Sequence, residues 1–514
     1  MSPSAALRRR AAAWGLALAV AGGAAGCGRT PVARGSPAAS SRATATATTS
    51  PFAVRGVVEG FYGPAWTPTA TRAVLAFLGR EGMNTFVYAP KDDPYQRAEW
   101  RTPYPPAQLA QLRGDARAAA RAGVSFVYSL SPGLSITYSS ASDRAALESK
   151  LAQLRGAGIS AFMLSFDDVP DHLQSPADAR AYGGNLGTAQ VSLANAVFAA
   201  GRSADPSFSL MFTPTEYWGM KADAYLEALR GLAPGIRIVW TGPGVISPQI
   251  TLADARAFTA IVGRPPLLWY NYPVNDWTVP PAKLQSGLPN VQPRVMFLGP
   301  VQGLAPNLAS GLSGVLANPM LEPYASELPL ASLAAYLANP GSATAPGAAW
   351  HAELARLGGP RSAALGTFAA AESPYPAVTP GGRYVWGSTD PAADSLETRL
   401  LAAYAKNPKA ALASAEAATL RSTFTSWVAA SPELAPGRLP DAGLAADLAP
   451  WVTWMARDGQ AGLDGLALLQ AAASGSAAGP RALVQKDLVL LAAAPVQFGG
   501  NVSTFLTAVL AATP

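Results

Sequence analysis

Residues 157–168 have the sequence AGISAFMLSFDD, in which a glycine leads into an apolar run that ends at two aspartates. Gly158 suits the position just after a helix, where the left-handed conformation is favoured. Upstream, Leu147, Leu151 and Leu154 recur at helical spacing, so a helix with one buried face is predicted there. The run that follows is nearly continuously apolar, which is typical of a strand covered on both faces. This stretch therefore predicts a helix, a tight turn and a buried parallel strand.

The same unit recurs along the chain. It reads EGMNTFVY at 81–88 and AGVSFVY at 122–128, and Thr67-Pro68 supplies an N-cap and a first-turn proline for the helix before the first of these. Further strands are predicted at 54–58, 208–212, 236–240, 266–270 and 312–317, with 294–298 as an ambiguous extra. Eight strands over 52–338 predict a (β/α)8 TIM barrel. A doubly wound open sheet is the alternative, disfavoured because no G-x-G-x-x-G phosphate loop follows a strand.

Beyond the barrel the composition changes. Residues 340–349 are rich in Pro, Gly and Ala and mark a boundary, and 347–514 predict a C-terminal α-helical bundle domain. Leu420, Phe424 and Trp427 recur at helical spacing within it. Trp451 and Trp454 are interpreted as core residues, because apolar residues at helical spacing are usually buried.

The amino-terminal segment has the features of an export signal. Residues 1–27 combine a basic start, an apolar stretch too short to cross a bilayer and a small-residue run before Cys27. This end resembles a bacterial lipobox, in which the cysteine is lipidated, although Ala24 replaces the usual Leu; an ordinary signal peptide is the alternative. Residues 28–50 predict a flexible linker. The expected location is extracellular, with the protein lipid-anchored to the bacterial cell membrane.

Composition excludes several classes of function. Six arginines (Arg8, Arg9, Arg10, Arg29, Arg34, Arg42) precede residue 51, so 38 − 6 = 32 basic residues face 32 acidic residues in the rest of the chain. A neutral body predicts no nucleic-acid partner. One cysteine and two distant histidines, His172 and His351, make no disulfide and no Cys/His metal centre. We therefore expect no metal or cofactor. If the protein is a hydrolase, carboxylates are expected as its acid and base; a His-based triad, with only two candidate bases, is the alternative.

Polar residues follow the predicted strands, where a barrel carries its active site. Two acidic pairs compete for the catalytic role. Asp92-Asp93 is interpreted as a structural ion-pair cluster, because Lys91, Arg97 and Arg101 lie close in sequence. Asp167-Asp168 directly follows a strand, but adjacent Cα atoms are only ~3.8 Å apart, so the pair cannot bracket a sugar from opposite faces. It suits a nucleophile supplied by the substrate; a role in capping the following loop is the alternative.

Five motifs, in order, resemble glycoside hydrolase family 84, which includes protein O-GlcNAcases and bacterial β-N-acetylglucosaminidases. They are EGFYGPAW at 59–66, NTFVYAPKDD at 84–93, FDD at 166–168, PTEY at 214–217 and NYPVND at 271–276. The resemblance implies a retaining mechanism in which the substrate's acetamido oxygen attacks its own anomeric carbon. It assigns Asp167 to the acetamido N–H and Asp168 to acid and base catalysis.

The resemblance also implies substrate-binding residues. Gly60, Lys91, Asn271, Asp276 and Asn318 would hold sugar hydroxyls or the acetamido group, whereas Tyr217, Thr241 and Trp269 would line the acetamido pocket. The family often has an Asp where this chain has Tyr270, which predicts an altered aglycone side. His172 is interpreted as a solvated loop residue.

The sequence thus predicts an exported, exo-acting β-N-acetylglucosaminidase. Its partners would be a glycan or glycoprotein that contains N-acetylglucosamine and, through the lipid anchor, a membrane. Two alternatives stay open: a surface glycan-binding protein without turnover, and a depolymerase of hyaluronan-like chains.

Overall fold

The computed structural model describes residues 50–276, 294–378, 384–386 and 389–513. The predicted signal segment 1–27, with Cys27, and all of the linker except Ser50 lie outside the described residues. None of the helices within these ranges has the length and apolarity that a membrane span requires.

Eight parallel strands alternate with helices and close into a barrel in sequence order, so the predicted TIM barrel is confirmed. Strand β8 pairs with β1 to complete the ring, with Val57 opposite Ala317. The strands are β1 (Val54–Glu59), β2 (Thr85–Tyr88), β3 (Ser125–Leu130), β4 (Ala161–Ser165), β5 (Ser209–Thr213), β6 (Ile236–Trp240), β7 (Leu267–Tyr270) and β8 (Gly314–Ala317).

The helices of the barrel lie between and after these strands. They are α1 (Pro68–Arg80), α2 (Pro106–Arg121), α3 (Ala141–Gly156), α4 (Pro176–Ala181), α5 (Leu186–Ala204), α6 (Ala224–Ala228), α7 (Leu252–Val262) and α8 (Pro323–Ala338). Short 3-10 turns occur at Leu229–Gly231 and Leu308–Ser310. The ambiguous run at 294–298 is not a barrel strand, since Arg294 makes only an isolated bridge to Val496.

The local signals that predicted helix ends act as expected. The Thr67 side chain accepts a hydrogen bond from the Ala70 amide at the start of α1. Gly82, Gly123 and Gly158 adopt positive φ values of 70°, 73° and 90°, two or three residues before the starts of β2, β3 and β4. Each glycine lets the chain leave a helix and enter a strand within a few residues, because it has no Cβ to oppose that conformation.

Alternate residues of the strands separate two cores. Val58, Val87, Met163 and Trp269 belong to a small cluster inside the ring, whereas their neighbours pack against the surrounding helices in a larger cluster. This alternation follows from the two-residue period of a strand. It sends Trp269 inward and Tyr270 outward.

Helices follow the barrel, as predicted: α9 (Ala345–Gly358), α10 (Ser362–Ala371), α11 (Pro391–Tyr404), α12 (Pro408–Leu412), α13 (Ala415–Ala430), α14 (Ala442–Ala473), α15 (Ala478–Ala492) and α16 (Val502–Ala512), with 3-10 turns at Gly359–Arg361 and Ser431–Leu434. A two-stranded antiparallel sheet, β9 (Pro376–Val378) and β10 (Tyr384–Trp386), interrupts them and was not predicted.

The helical region packs on the barrel. Asp447 of α14 accepts hydrogen bonds from the amides of Tyr324 and Ala325 at the start of α8, at 2.8 and 3.0 Å. Trp451 is fully buried and Trp454 is nearly so, which confirms their interpretation as core residues. The domain limits 52–338 and 347–514 stay predictions.

Candidate active site

The predicted site residues fall at the carboxyl ends of the strands, on one face of the barrel. Relative to the strands, Gly60 follows β1, Lys91 follows β2, Asp167 and Asp168 follow β4, Tyr217 follows β5, Thr241 follows β6, Trp269 lies in β7 with Asn271 and Asp276 after it, and Asn318 follows β8. Residues from seven strands therefore converge at the end of the barrel where such folds carry their chemistry.

A buried ion pair joins two of these residues. The Lys91 ammonium donates a hydrogen bond to Oδ2 of Asp167, and both side chains are almost fully buried. Burial opposes ionisation of Asp167, but the charges of Lys91 and Arg97 outweigh it and hold the pKa of this carboxyl below its usual value. Oδ1 of Asp167 has no hydrogen-bond partner among the described residues. This buried oxygen therefore lacks a donor within the described part of the chain, and a donor on a ligand could satisfy it.

Asp168 lies in a different environment, although it is the next residue. Its side chain is exposed, with Oδ2 accepting a hydrogen bond from the Tyr62 hydroxyl at 2.8 Å and Oδ1 from the Tyr217 hydroxyl at 2.9 Å. Its backbone has a φ of 53°, the one positive value for a residue other than glycine in the described part of the chain. Arg97 donates to its carbonyl oxygen at 2.8 Å. A strained backbone of this kind is common where a side chain must be aimed at a ligand.

The tyrosine hydroxyls beside Asp168 are held in their protonated form. Burial, followed by the negative charge of Asp168, raises the pKa of both Tyr62 and Tyr217 well above the usual value for a phenol. Both side chains therefore act as hydrogen-bond donors to the carboxylate across the accessible pH range.

A network of amides joins β7, β8 and β1 on the opposite side of the mouth. Oδ1 of Asn271 accepts hydrogen bonds from Trp269 Nε1 at 2.8 Å and Asn318 Nδ2 at 3.0 Å, and Asn318 Oδ1 accepts one from the Gly60 amide at 3.3 Å. A Cβ on Gly60 would lie 2.3 Å from the Trp269 ring. Only glycine lets the backbone come this close to the indole, which forms the floor of the site.

Asp276 and Thr241 also make hydrogen bonds that hold the loops around the site in place. Oδ2 of Asp276 accepts a hydrogen bond from the Tyr62 amide at 2.8 Å, which ties the loop after β7 to the loop after β1. The Thr241 hydroxyl is buried and donates to the Gly244 carbonyl at 2.9 Å, and the Thr241 amide donates to the Tyr217 carbonyl at 2.8 Å. Thr241 thus fixes the turn that carries Tyr217.

Two interpretations made from the sequence can be compared with the structure here: the one of Asp93 needs correction, and the one of His172 is supported. Asp93 does have structural contacts, but its partners are the hydroxyls of Tyr88 and Tyr104, at 2.9 and 2.6 Å, rather than the basic residues that were expected. The three basic residues expected near this pair have other partners: Lys91 pairs with Asp167, Arg97 donates to the Asp168 carbonyl, and Arg101 bridges to Asp143. His172 is exposed in a loop beside Asp171, as predicted.

The interpretation of Tyr270 is wrong. Its side chain packs outside the strand ring, where its hydroxyl donates to the Gln302 carbonyl at 3.0 Å and lies 2.7 Å from that of Tyr375. Because Trp269 points into the barrel, the next residue must point out of it. Tyr270 therefore does not shape the aglycone side of the mouth.

The sequence analysis missed Tyr62 and Arg97 as residues of the site. Tyr62 lies in the EGFYGPAW motif and Arg97 comes four residues after the NTFVYAPKDD motif, but their contacts with Asp168 join positions 106 and 71 residues apart. Tyr62 follows β1 within the EGFYGPAW motif, so its place in that motif was the one available signal. Within the described residues, no group of three or more His, Cys, Asp or Glu is arranged to hold a metal ion.

The chain is similar to several known proteins. The β-N-acetylglucosaminidase family model matches residues 55–370. The protein O-GlcNAcases of Rattus norvegicus and Mus musculus are each 34% identical over 288 residues, which is 55% of this chain and 29% of theirs. The matched part thus spans less than a third of these relatives.

A solved structure, that of a mutant of the Thermobaculum terrenum O-GlcNAc hydrolase, superimposes with a TM-score of 0.76. It is 27% identical, and the match covers 90% of this chain and 94% of that one. The family model covers more than half of the chain and includes every strand that carries a predicted site residue, apart from the first residue of β1. The chain therefore belongs to the β-N-acetylglucosaminidase family, the glycoside hydrolase family 84 that its five motifs resemble.

Proposed function

We propose that the protein releases terminal β-linked N-acetylglucosamine from glycoconjugates, with retention at the anomeric carbon and with the substrate's own acetamido oxygen as nucleophile. One observation carries this proposal: the adjacent Asp167 and Asp168 occupy contrasting environments. Asp167 is buried, paired with Lys91 and, among the described residues, without a hydrogen-bond partner at Oδ1, whereas Asp168 is exposed between two tyrosines. Two carboxylates so close together suit two roles on one side of a sugar, not attack from opposite faces.

In the first step, the acetamido oxygen forms a bond to the anomeric carbon as the bond to the leaving oxygen breaks. The Asp167 carboxylate would accept the acetamido N–H through Oδ1 and stabilise the positive charge that develops on the nitrogen. Asp168, in its acid form, would transfer its proton to the leaving oxygen. The product of this step is a bicyclic oxazoline, and the nucleophile is already oriented because it is part of the substrate.

In the second step, water attacks the anomeric carbon and the oxazoline ring opens. Asp168, now a carboxylate, takes a proton from the water, and the acetamido group is restored. The hydroxyls of Tyr62 and Tyr217 donate to this carboxylate form and would hold it in position for the attack. Two inversions at one carbon give net retention.

The floor and far side of the mouth supply candidates for binding the sugar. Asn271 and Asn318 already share hydrogen bonds with Trp269 and Gly60, so their amides are held in fixed orientations. Lys91 and Asp276 add one positive and one negative group near the floor. Fixed polar groups around an indole fit a pyranose ring, which presents both hydroxyls and apolar carbon–hydrogen faces.

Activity on an aryl β-N-acetylglucosaminide tests the proposal directly. We expect release of the chromophore, with the β-anomer of N-acetylglucosamine seen first when the reaction is followed by NMR. A protein that binds the glycoside without turnover would instead be a glycan-binding protein. Release of internal fragments from hyaluronan, rather than single residues from chain ends, would make it a depolymerase.

We also propose that the protein is exported and lipid-anchored to the bacterial cell membrane through Cys27. The support is the sequence of residues 1–27 alone. Metabolic labelling with an alkynyl fatty acid should tag the full chain and not its Cys27→Ala variant. An unlabelled chain with a cleaved leader would indicate an ordinary signal peptide instead.

A further inference from the structure

The connections that lead into strands β2 to β7 each carry an arginine at or just after the end of the preceding helix or 3-10 turn. These residues are Arg80, Arg121, Arg155, Arg202, Arg230 and Arg264. None of the six is buried. Because the strands of the barrel are all parallel, these connections lie together at its amino-terminal end, opposite the mouth that holds Asp168. We call the six residues the arginine ring.

The positive charge of the arginine ring is largely uncompensated. The acidic residues in the same connections are Glu81 and Asp205. Of the ring, only Arg80 forms an ion pair within the described part of the chain, and its partners include Glu81 and Glu353. Others donate to backbone carbonyls, as Arg264 does in the neighbouring connection, and such bonds leave the guanidinium charged. The surface is therefore strongly basic.

The mouth of the barrel has the opposite balance of charge. The loops after β4 and β5 hold five carboxylates and one lysine, namely Asp167, Asp168, Asp171, Glu216 and Asp223 with Lys221. Residues 51–514 have no net charge, but they are thus polarised along the axis of the barrel. A cation at the carboxyl end of a helix stabilises that helix, which gives each arginine a local role. The six charges nevertheless add on one surface, where they attract anions together.

The amino-terminal segment joins the barrel on this same face. Ser50 is the first described residue, and its hydroxyl donates to the Leu337 carbonyl in the last turn of α8 at 2.6 Å. Phe52 is fully buried, with its ring 6.1 Å from that of Tyr336. Strand β1 begins two residues later, at Val54. The chain is therefore fixed at the amino-terminal end of the barrel where it enters.

The segment between Cys27 and Ser50 is short and carries charge of the same sign. Residues 28–49 number 22 and include Arg29, Arg34 and Arg42 but no acidic residue. A flexible chain of this length has a root-mean-square end-to-end distance of about 25 Å. Electrostatic attraction reaches about 8 Å at physiological ionic strength, so thermal motion on such a tether brings the arginine ring within range of a bilayer.

We propose that the arginine ring docks on an anionic phospholipid surface, with the mouth of the barrel facing away from the membrane. The inference rests on the proposed lipid anchor at Cys27 and not on the proposed hydrolysis. Guanidinium groups donate hydrogen bonds to lipid phosphates as well as balancing their charge. In this orientation the site receives glycans from the medium, not headgroups of the membrane that holds the protein.

Vesicle binding tests the arginine ring without the lipid. The full-length Cys27→Ala chain is sedimented with vesicles of phosphatidylcholine, or of phosphatidylcholine and phosphatidylglycerol in equal amounts. Arg121→Gln/Arg155→Gln/Arg202→Gln should lower the partition onto the mixed vesicles by about tenfold or more, since each basic residue beside an anionic surface contributes up to about fivefold. Arg121→Lys/Arg155→Lys/Arg202→Lys should retain most of the binding, because it keeps the charge.

The control removes the same charge from the helical region. Arg399→Gln/Arg421→Gln/Arg438→Gln changes three exposed arginines and should bind as the parent chain does. All variants share the same leader, so its contribution cancels in the comparison. Activity on the aryl glycoside and thermal unfolding should be equal in all of them.

Three results would overturn the proposal. They are equal partition onto both kinds of vesicle, equal loss in the ring variant and the control, and loss of binding in the lysine variant. A ring variant that loses binding to dextran sulfate but not to vesicles would replace the membrane with an anionic polysaccharide.

The orientation is tested on the anchored protein. The chain has one cysteine, whose thiol the lipid would occupy, so a dye can be attached at one introduced thiol. Ala204→Cys, at the end of α5, and Ala222→Cys, in the loop after β5, change exposed residues at the two ends of the barrel. With nitroxide-labelled headgroups in the mixed vesicles, the dye at the Ala204 position should be quenched, and salt should weaken this quenching.

The dye at the Ala222 position should keep its emission. Equal quenching at both positions, or quenching at the Ala222 position alone, would overturn the orientation. A chain that carries no lipid would contradict the anchor, and the vesicle experiment would still decide whether the arginine ring binds anionic lipid. Neither result bears on hydrolysis, which the aryl glycoside tests separately.

Discussion

Lys91, in the loop after β2, donates a hydrogen bond to Asp167, which follows β4 two strands away in the ring, and both side chains are almost fully buried. The pair is the electrostatic centre of the candidate site, because it keeps Asp167 ionised in a place where burial alone would favour the neutral acid. Removing one partner of a buried ion pair lowers the stability of the protein by much more than the intact pair contributes, because the remaining charge is left buried and unpaired. The strongest predictions concern these two residues.

Lys91→Met should move the acidic limb of the pH profile to higher pH. Removing the ammonium removes one of the two charges that hold the pKa of Asp167 down, so this pKa rises and the ionised form is lost earlier as the pH falls. The measurement is kcat/KM against pH on an activated aryl glycoside. Arg101→Met, which loses an ion pair with Asp143, is the control, and a profile unchanged in both variants would contradict the role of the pair.

Asp167→Asn should slow every substrate, including those with activated leaving groups. The amide cannot balance the positive charge that develops on the acetamido nitrogen, and such losses are typically ~10²–10³-fold in kcat. Initial rates on aryl glycosides of graded leaving-group pKa give the comparison. Asp171→Asn, on the same loop but exposed, should retain activity; full activity in Asp167→Asn would show that the catalytic pair lies elsewhere.

Asp168→Asn should discriminate between leaving groups. An alkyl or sugar leaving group needs a proton and should lose ~10²–10⁴-fold, whereas a good phenolate leaving group should lose much less in the step that forms the oxazoline. A plot of log kcat/KM against leaving-group pKa should become steeper in the variant. Identical losses across the series would remove Asp168 from the acid role.

Tyr62→Phe should lower kcat by about tenfold or more, because the variant lacks a hydrogen bond to the Asp168 carboxylate and hydrogen bonds to charged groups are worth ~1.5–3 kcal/mol. Stability should change little, since the phenyl ring still fills the same space. Tyr95→Phe changes a tyrosine of the β2 loop and serves as its control. Unchanged kcat in Tyr62→Phe would mean that Tyr217 alone suffices to hold Asp168.

Glu397→Gln should make stability less dependent on pH. Burial, reinforced by Asp394 and Asp390, raises the pKa of Glu397 from its ordinary 4.5 to about 8. Between these values the unfolded chain releases a proton that the folded chain keeps, so stability is lost as the pH rises through this window.

Denaturant unfolding near pH 5 and near pH 8 would measure the effect on Glu397. The wild-type protein should lose about 2 kcal/mol or more relative to the variant between the two values. Glu148→Gln, at an exposed position of α3, should keep the wild-type dependence. A parallel decline in wild type and Glu397→Gln would show that the carboxyl does not titrate in this window.

Much of the fold was predictable because its signals are local. The glycines before β2, β3 and β4 take the left-handed conformation that their positions required, and the apolar runs after them became barrel strands. The run at 294–298 has the same apolar character, yet it pairs with no strand of the barrel. Composition does not distinguish these two cases, because pairing depends on which edges the rest of the ring leaves open.

By itself, the sequence determined the number and order of the barrel strands and the acidic pair at the end of β4. Residues within one turn or one strand are enough to specify those features. The tertiary structure alone decided that Tyr62 and Tyr217 hold Asp168, that Lys91 pairs with Asp167 rather than with its neighbouring aspartates, and that Tyr270 faces away from the site. These relationships join residues from different strands, and closure of the ring fixes their distances.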